Sequence, residues 1–138
     1  MVSMLLCSHN DFSESLKRTA EMIYGPLEAC DTVTFKENDA LAELAAEIRA
    51  KYDALSAVGD PVVCLCDLPF ASPYNACLMA LSDTDARVIP GMSLPLVISI
   101  ASDRDDVTAE GLDDFLAETM DNARGNIALH IPKQLLAD

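Results

Sequence analysis

Positive charge is scarce in this chain: 9 lysines and arginines stand against 23 aspartates and glutamates, a formal balance of −14 over 138 residues. Such a chain repels the phosphate backbone of nucleic acid and the anionic face of a membrane, so no nucleic-acid partner is expected and a protein with a basic docking face is the better match. Long apolar runs are missing too. Met4–Cys7, Val62–Cys66 and Leu94–Ala101 are the longest, far short of the roughly 20 residues that a bilayer-spanning helix needs. Val2–Cys7 has no basic segment ahead of it and runs straight into Ser8, His9 and Asn10, which argues against a signal peptide and for a cytoplasmic location without direct membrane insertion. The five cysteines are odd in number and lie mostly in apolar segments, which suits buried thiols in a reducing compartment rather than a disulfide framework. Cys64 and Cys66 share one face of a strand, but no second pair stands at ligand spacing and His130 is far off in sequence, so neither a metal nor a cofactor is expected. No repeat or low-complexity segment interrupts the chain.

What is present is apolar content, 51% of residues, enough for one core in a single domain spanning residues 1–138. Val2–Cys7 reads as a strand buried on both faces. Asp11-Phe12-Ser13-Glu14 has the spacing of a capping box, and Phe12, Leu16, Ala20 and Ile23 continue at helical spacing until Gly25-Pro26. Ala29–Phe35 predicts a second strand, and Asn38-Asp39 caps a helix carrying Leu41, Leu44, Ile48, Tyr52 and Leu55. Val62–Cys66 is the clearest strand and ends on Asp67. Ser72 as N-cap and Pro73 as first helical residue open a helix running through Leu81. Arg87–Pro90 is a short fourth strand, Leu94–Ala101 a short helix, and Thr108–Arg124 a longer one stopped by Gly125. Ile127, Leu129 and Ile131 alternate as a last strand, in which His130 is a structural residue. Strands alternating with helices argue for a three-layer α/β domain with a mostly parallel sheet.

In such sheets the chemistry gathers beyond the carboxyl ends of the strands. There the first strand delivers Ser8, His9 and Asn10, the third delivers Asp67, and the Ser72 helix start follows. A carboxylate that holds one ring N–H of a histidine fixes its tautomer and leaves the other nitrogen free as a nucleophile. Attack on phosphorus gives a phosphohistidine, with helix N-termini supplying N–H groups for the oxygens. On architecture alone plainer readings stay open: His9 as a structural residue, Asp67 capping a turn, Ser72 acting only as an N-cap. Tyr74 packs on the core or joins Phe70 in a docking patch.

The motifs themselves resemble a known family, the enzyme IIA proteins of mannose-type (mannose/fructose/sorbose) sugar phosphotransferase systems. Ser8-His9 followed by Asp11-Phe12 is similar to its S-H-G-x-[FL] site. Asp67-Leu68 with Ser72-Pro73-Tyr74-Asn75-Ala76 is similar to its D-L-x-G-G-S-P-x-N-A segment, and Val88–Pro95 to its V-I-x-G-x-N-L-P stretch. The resemblance implies a three-layer open twisted sheet of order 2-1-3-4, with a C-terminal edge strand exchanged in a homodimer. It implies that His9 is phosphorylated by the phosphocarrier HPr, that Asp67 orients it, that Ser72 and Asn10 lie by the phosphoryl oxygens, and that an enzyme IIB working with a membrane permease receives the group. Three departures stand out. Asn10 replaces a glycine but tolerates left-handed backbone. Pro69-Phe70-Ala71 replaces a glycine-rich stretch, which makes positive φ costly at Phe70 and Ala71. Ser93 replaces an asparagine. The phosphotransfer subunit of dihydroxyacetone kinase shares the histidine site, and a regulatory interaction module without a transport role fits the altered loop.

Overall fold

Side chains on a strand point alternately to opposite faces, and in β1 (Ser3–His9) every residue from Ser3 to Ser8 is buried. That strand therefore has to be covered on both sides. The computed structural model, which describes residues 1–136, supplies the cover. After β1 come α1 (Phe12–Tyr24), β2 (Cys30–Phe35), α2 (Leu41–Ser56), β3 (Val62–Cys66), α3 (Ser72–Leu81), β4 (Arg87–Pro90), α4 (Leu94–Asp103), a 3₁₀ turn (Ala109–Gly111), α5 (Leu112–Arg124) and the short α6 (Pro132–Leu135).

The four strands form one sheet of order β2-β1-β3-β4, all parallel, with Cys7 level with Cys66 across β1 and β3. One face buries Met4, Leu6, Val63 and Leu65 against Leu16 of α1, Leu96, Val97 and Ile100 of α4, and Leu112 and Leu116 of α5. The other buries Leu5, Cys7, Val33, Cys64 and Cys66 against Leu44 and Ile48 of α2 and Ala76, Cys77 and Leu81 of α3. Continuous apolar runs in β1 and β3 are thus the signature of a sheet covered twice. Arg104, 3% exposed, ties the amino end of β1 to the α1–β2 link by donating to the carbonyls of Val2 (3.0 Å) and Glu28.

Helix starts differ in detail from the sequence reading. At α1 the flanking residue is Asp11, yet its side chain makes no cap bond. Asp39 is spent on the Lys36 N–H at 2.7 Å, leaving Ala40 at the start of α2. Ala71, not Ser72, flanks α3, so Ser72 is its first residue and Pro73 its second. Ser93 does cap α4, accepting from the Leu96 N–H at 3.3 Å as an asparagine would.

The largest difference is at the end of the chain. Residues 127–131 form no strand. Ile127 and Leu129 are 89% and 92% exposed. An alternating pattern makes a strand only where a neighbouring backbone offers hydrogen bonds, and the segment leaves α5 without meeting an edge of the sheet.

Candidate functional site

The strand order reverses between β1 and β3. β1 leads outward through α1 to β2, and the chain then crosses back through α2 to β3 on the other side of β1. Such a switch point opens a crevice at the carboxyl ends of the two strands, and His9 and Asp67 are the residues found there.

Local chemistry fixes the turn that presents His9. Asn10 takes φ +50°, the left-handed region that asparagine tolerates, and donates its N–H to the Phe35 carbonyl at 2.8 Å. Ser8 and Ser13, both fully buried, lock the turn from below. The Ser8 hydroxyl accepts the Ser13 N–H at 2.7 Å, and the Ser13 hydroxyl donates to the Val33 carbonyl at 3.1 Å. Ser8, rather than Asp11, thereby satisfies a free N–H in the first turn of α1. Sequence reasoning missed this role of Ser13. The signal was its position on the buried face, one residue beyond the more conspicuous Phe12.

Asp67 Oδ2 accepts the His9 backbone N–H at 2.9 Å and lies 2.7 Å from His9 Nδ1. Oδ1 accepts the Leu68 N–H at 3.0 Å. An ionised carboxylate only accepts, so in a neutral imidazole this contact is made by the tautomer with its proton on Nδ1 and its lone pair on Nε2. The Asp67 side chain is 11% exposed and that of His9 42%: the orienting group is sheltered and the ring reaches solvent. Phe35 meets the imidazole edge-on, with centroids 6.1 Å apart, and limits its rotation from the β2 side.

Ser72, on the first turn of α3, sits at the same end of the sheet and its hydroxyl makes no hydrogen bond among the described residues. With Pro73 lacking an N–H, the first-turn donors of α3 are the amides of Ser72 and Tyr74, since Asn75 already donates to Ala71. Asn10 has only its exposed side-chain amide to offer, its backbone N–H being committed to Phe35. The third motif is tied to the same end: Gly91 takes φ +80° and Met92 donates to the Cys66 carbonyl at 2.9 Å.

The loop between Asp67 and α3 adopts the strained backbone that its sequence predicts at one of two positions. Phe70 takes φ +61° while Ala71 is extended, at φ −104°. Left-handed backbone costs a non-glycine residue about 1–2 kcal/mol. An edge-to-face pair with Tyr74, centroids 5.5 Å apart, returns roughly 0.5–1.5 kcal/mol. Phe70 is left 81% exposed and Leu68 56%, an apolar rim on the loop that follows Asp67.

Tertiary structure also assembles what spacing concealed. Cys7 of β1, Cys64 of β3 and Cys77 of α3 bring their sulfurs within 4.8 Å of one another. Hydrogen bonds from Cys64, and then from Cys77, hold the Cys7 thiol below the usual range. His130 stands apart on the exposed terminal segment. A cavity of about 480 Å³ opens between the amino ends of β3 and β4, lined by Tyr52, Asp60, Asp85 and Arg87, at the opposite end of the sheet from His9 and Asp67.

The sequence profile described as the PTS system fructose IIA component, EIIA-man, matches residues 3–119. A PTS system sorbose-specific EIIA component of Klebsiella pneumoniae is 26% identical over 113 residues, covering 81% of this chain and 82% of its own. Among solved structures, the PTS IIA protein associated with the fucose utilization operon of Streptococcus pneumoniae superimposes with a TM-score of 0.80 at 25% identity, covering 99% of this chain and 96% of that one. The mannose/sorbose-specific IIA subunit of Enterococcus faecalis gives 0.74 at 24% identity over 94% of each chain, a likeness of fold.

Proposed function

The chain belongs to the mannose-type enzyme IIA family of the sugar phosphotransferase system, a family of phosphotransfer components, and from that premise we propose that His9 carries the phosphoryl group. Nε2 attacks the phosphorus of phosphorylated HPr. The new N–P bond forms as the donor's bond breaks, the proton stays on Nδ1, and the group is then passed to an enzyme IIB that serves a membrane permease. The observation that carries this reading is the 2.7 Å contact between Asp67 Oδ2 and Nδ1, which aims the lone pair of a solvent-reaching ring outward. Asp67 further offsets the positive charge that grows on the imidazole as Nε2 bonds to phosphorus. Ser72, the first-turn amides of α3 and the Asn10 side chain are assigned to the phosphoryl oxygens, where the positive end of the helix dipole favours negative charge. Catalysis needs little else, because phosphoryl transfer is mostly positioning and charge stabilisation.

The carrier works as one domain over residues 1–138 in the cytoplasm; no described helix is long and apolar enough to cross a membrane. Its exposed Ile127, Leu129 and Ile131 serve as a strand added to a second copy. This reading is supported by β4, which among the described residues pairs only with β3 and leaves an open edge. Incubation with phosphorylated HPr is expected to place one acid-labile phosphoryl group on the chain, absent from His9→Ala. Failure of the wild-type chain to label with any cognate HPr would overturn the carrier role. The Phe70 rim in place of a glycine-rich loop favours one further reading, a regulatory module. Labelling without onward transfer to an enzyme IIB would select it.

A further inference from the structure

Three of the five cysteines meet where no sequence spacing brings them together. Cys7 Sγ lies 3.5 Å from Cys64 Sγ, and Cys64 Sγ lies 2.9 Å from Cys77 Sγ. All three are fully buried, with the sulfurs within 4.8 Å of one another. We propose that these three thiols form a binding site for a single soft monovalent d¹⁰ cation of the Cu(I) class, held in trigonal sulfur coordination inside the core.

The donor set selects the ion. It contains sulfur only, with no histidine or carboxylate, and thiolates favour Cu(I), Zn²⁺ or iron–sulfur clusters. Zn²⁺ in a closed site takes four ligands in a tetrahedron. Here the fourth thiol, Cys66, lies 3.6 Å from Cys77 and stands outside the mutual cluster. A three-coordinate ion needs nothing more than the triad. With metal–sulfur bonds near 2.3 Å, a trigonal site spaces its sulfurs about 4 Å apart, so the triad has to open by about an ångström at its tightest pair. The surroundings are apolar, with Leu5, Val33, Ile48 and Leu81 in the same cluster, so they offer no competing oxygen or nitrogen donor, and the ion's charge offsets part of that of the thiolates that hold it. Each thiol gives up its proton as it binds, so affinity rises with pH.

The position is also informative. Cys7 precedes His9 by two residues on β1, Cys64 lies on β3 ahead of Asp67, and Cys77 lies on α3 behind Ser72. An ion in the triad would tie together the three elements that carry the proposed phosphotransfer residues, without touching any of them.

The test is an anaerobic titration of the fully reduced full-length chain, before and after refolding from urea, with Cu(I) buffered by bicinchoninate. The expected result is withdrawal of one Cu(I) per chain, sulfur-to-copper charge-transfer absorption in the ultraviolet, a higher melting temperature and three sulfur neighbours by X-ray absorption. Cys77→Ser and Cys64→Ser are expected to weaken binding at least about 100-fold, and Cys30→Ser to leave it unchanged. No withdrawal of copper by the wild type would overturn the site. So would equal loss in Cys30→Ser, or a first shell holding nitrogen, oxygen or four sulfurs. Preferential uptake of Zn²⁺ would overturn the choice of ion. Should the core variants fail to fold, the sulfur count on the wild-type chain decides alone.

Discussion

Asp67 uses one oxygen twice, on the backbone N–H and the ring of His9. Replacing it by asparagine keeps the shape and can keep the backbone bond, but removes the charge that, in the proposed transfer, favours the proton on Nδ1 and offsets the developing imidazolium. Asp67→Asn is therefore expected to fold normally and to lower the labelling rate from phosphorylated HPr by at least about 10²-fold and at most about 10⁴-fold, the loss seen when the orienting aspartate of a catalytic triad becomes asparagine. A rapid-quench comparison of the two chains measures it, and an unchanged rate would remove Asp67 from the mechanism. Cys30 shows a different residue-scale effect. Burial pushes its thiol up to about 11 from an ordinary value of 9.0. The unfolded chain thus loses this proton first, and the stability present below pH 9 is lost as pH rises through 11. Wild type is expected to lose about 1–3 kcal/mol more than Cys30→Ala across that window, read from urea unfolding at a series of pH values. The thiol was visible in the sequence, whereas its burial against the α1 side of the sheet was not.

At the scale of elements, each strand and helix start reflects a contest between local signals and what the fold places nearby. Asp11 has the spacing of a capping residue, yet Ser8 does the work, because the left-handed turn at Asn10 folds the end of β1 back under the first turn of α1. Ser8→Ala leaves the Ser13 N–H without its partner in a fully buried setting. The expected cost is about 1–2 kcal/mol, measured as a lower urea midpoint at unchanged slope. Ser72 shifts by one position for a similar reason: Pro73 is accepted anywhere in the first turn, where its missing N–H costs nothing, so the sequence could not fix which residue came first. By contrast β4, at Arg87–Pro90, and the stop of α5 before Gly125 were legible to the residue, since a short apolar run and a terminal glycine leave few alternatives.

Across the whole molecule, both cores lie between Val2 and Ala123, and the exposed terminal segment adds nothing to either. Removal of residues 127–138 is accordingly expected to leave the monomer's fold and its near-native melting behaviour intact while abolishing the proposed dimerisation. Light scattering coupled to size exclusion would show this, and a truncated chain that still dimerises would refute strand exchange. The acidic surface acts at the same scale. A charge of −14 favours fast encounter with a basic partner and makes that encounter sensitive to salt. The alternation of elements, the parallel sheet and the candidacy of His9 were all legible along the chain, because apolar periodicity and the polar residues that interrupt it are local properties. It took the folded chain to show that Asp67 grips Nδ1, that Phe70 bears left-handed backbone, that three distant cysteines converge and that Ile127–Ile131 pairs with no strand of its own copy. Each of those depends on which segments become neighbours, a long-range outcome that no local spacing encodes.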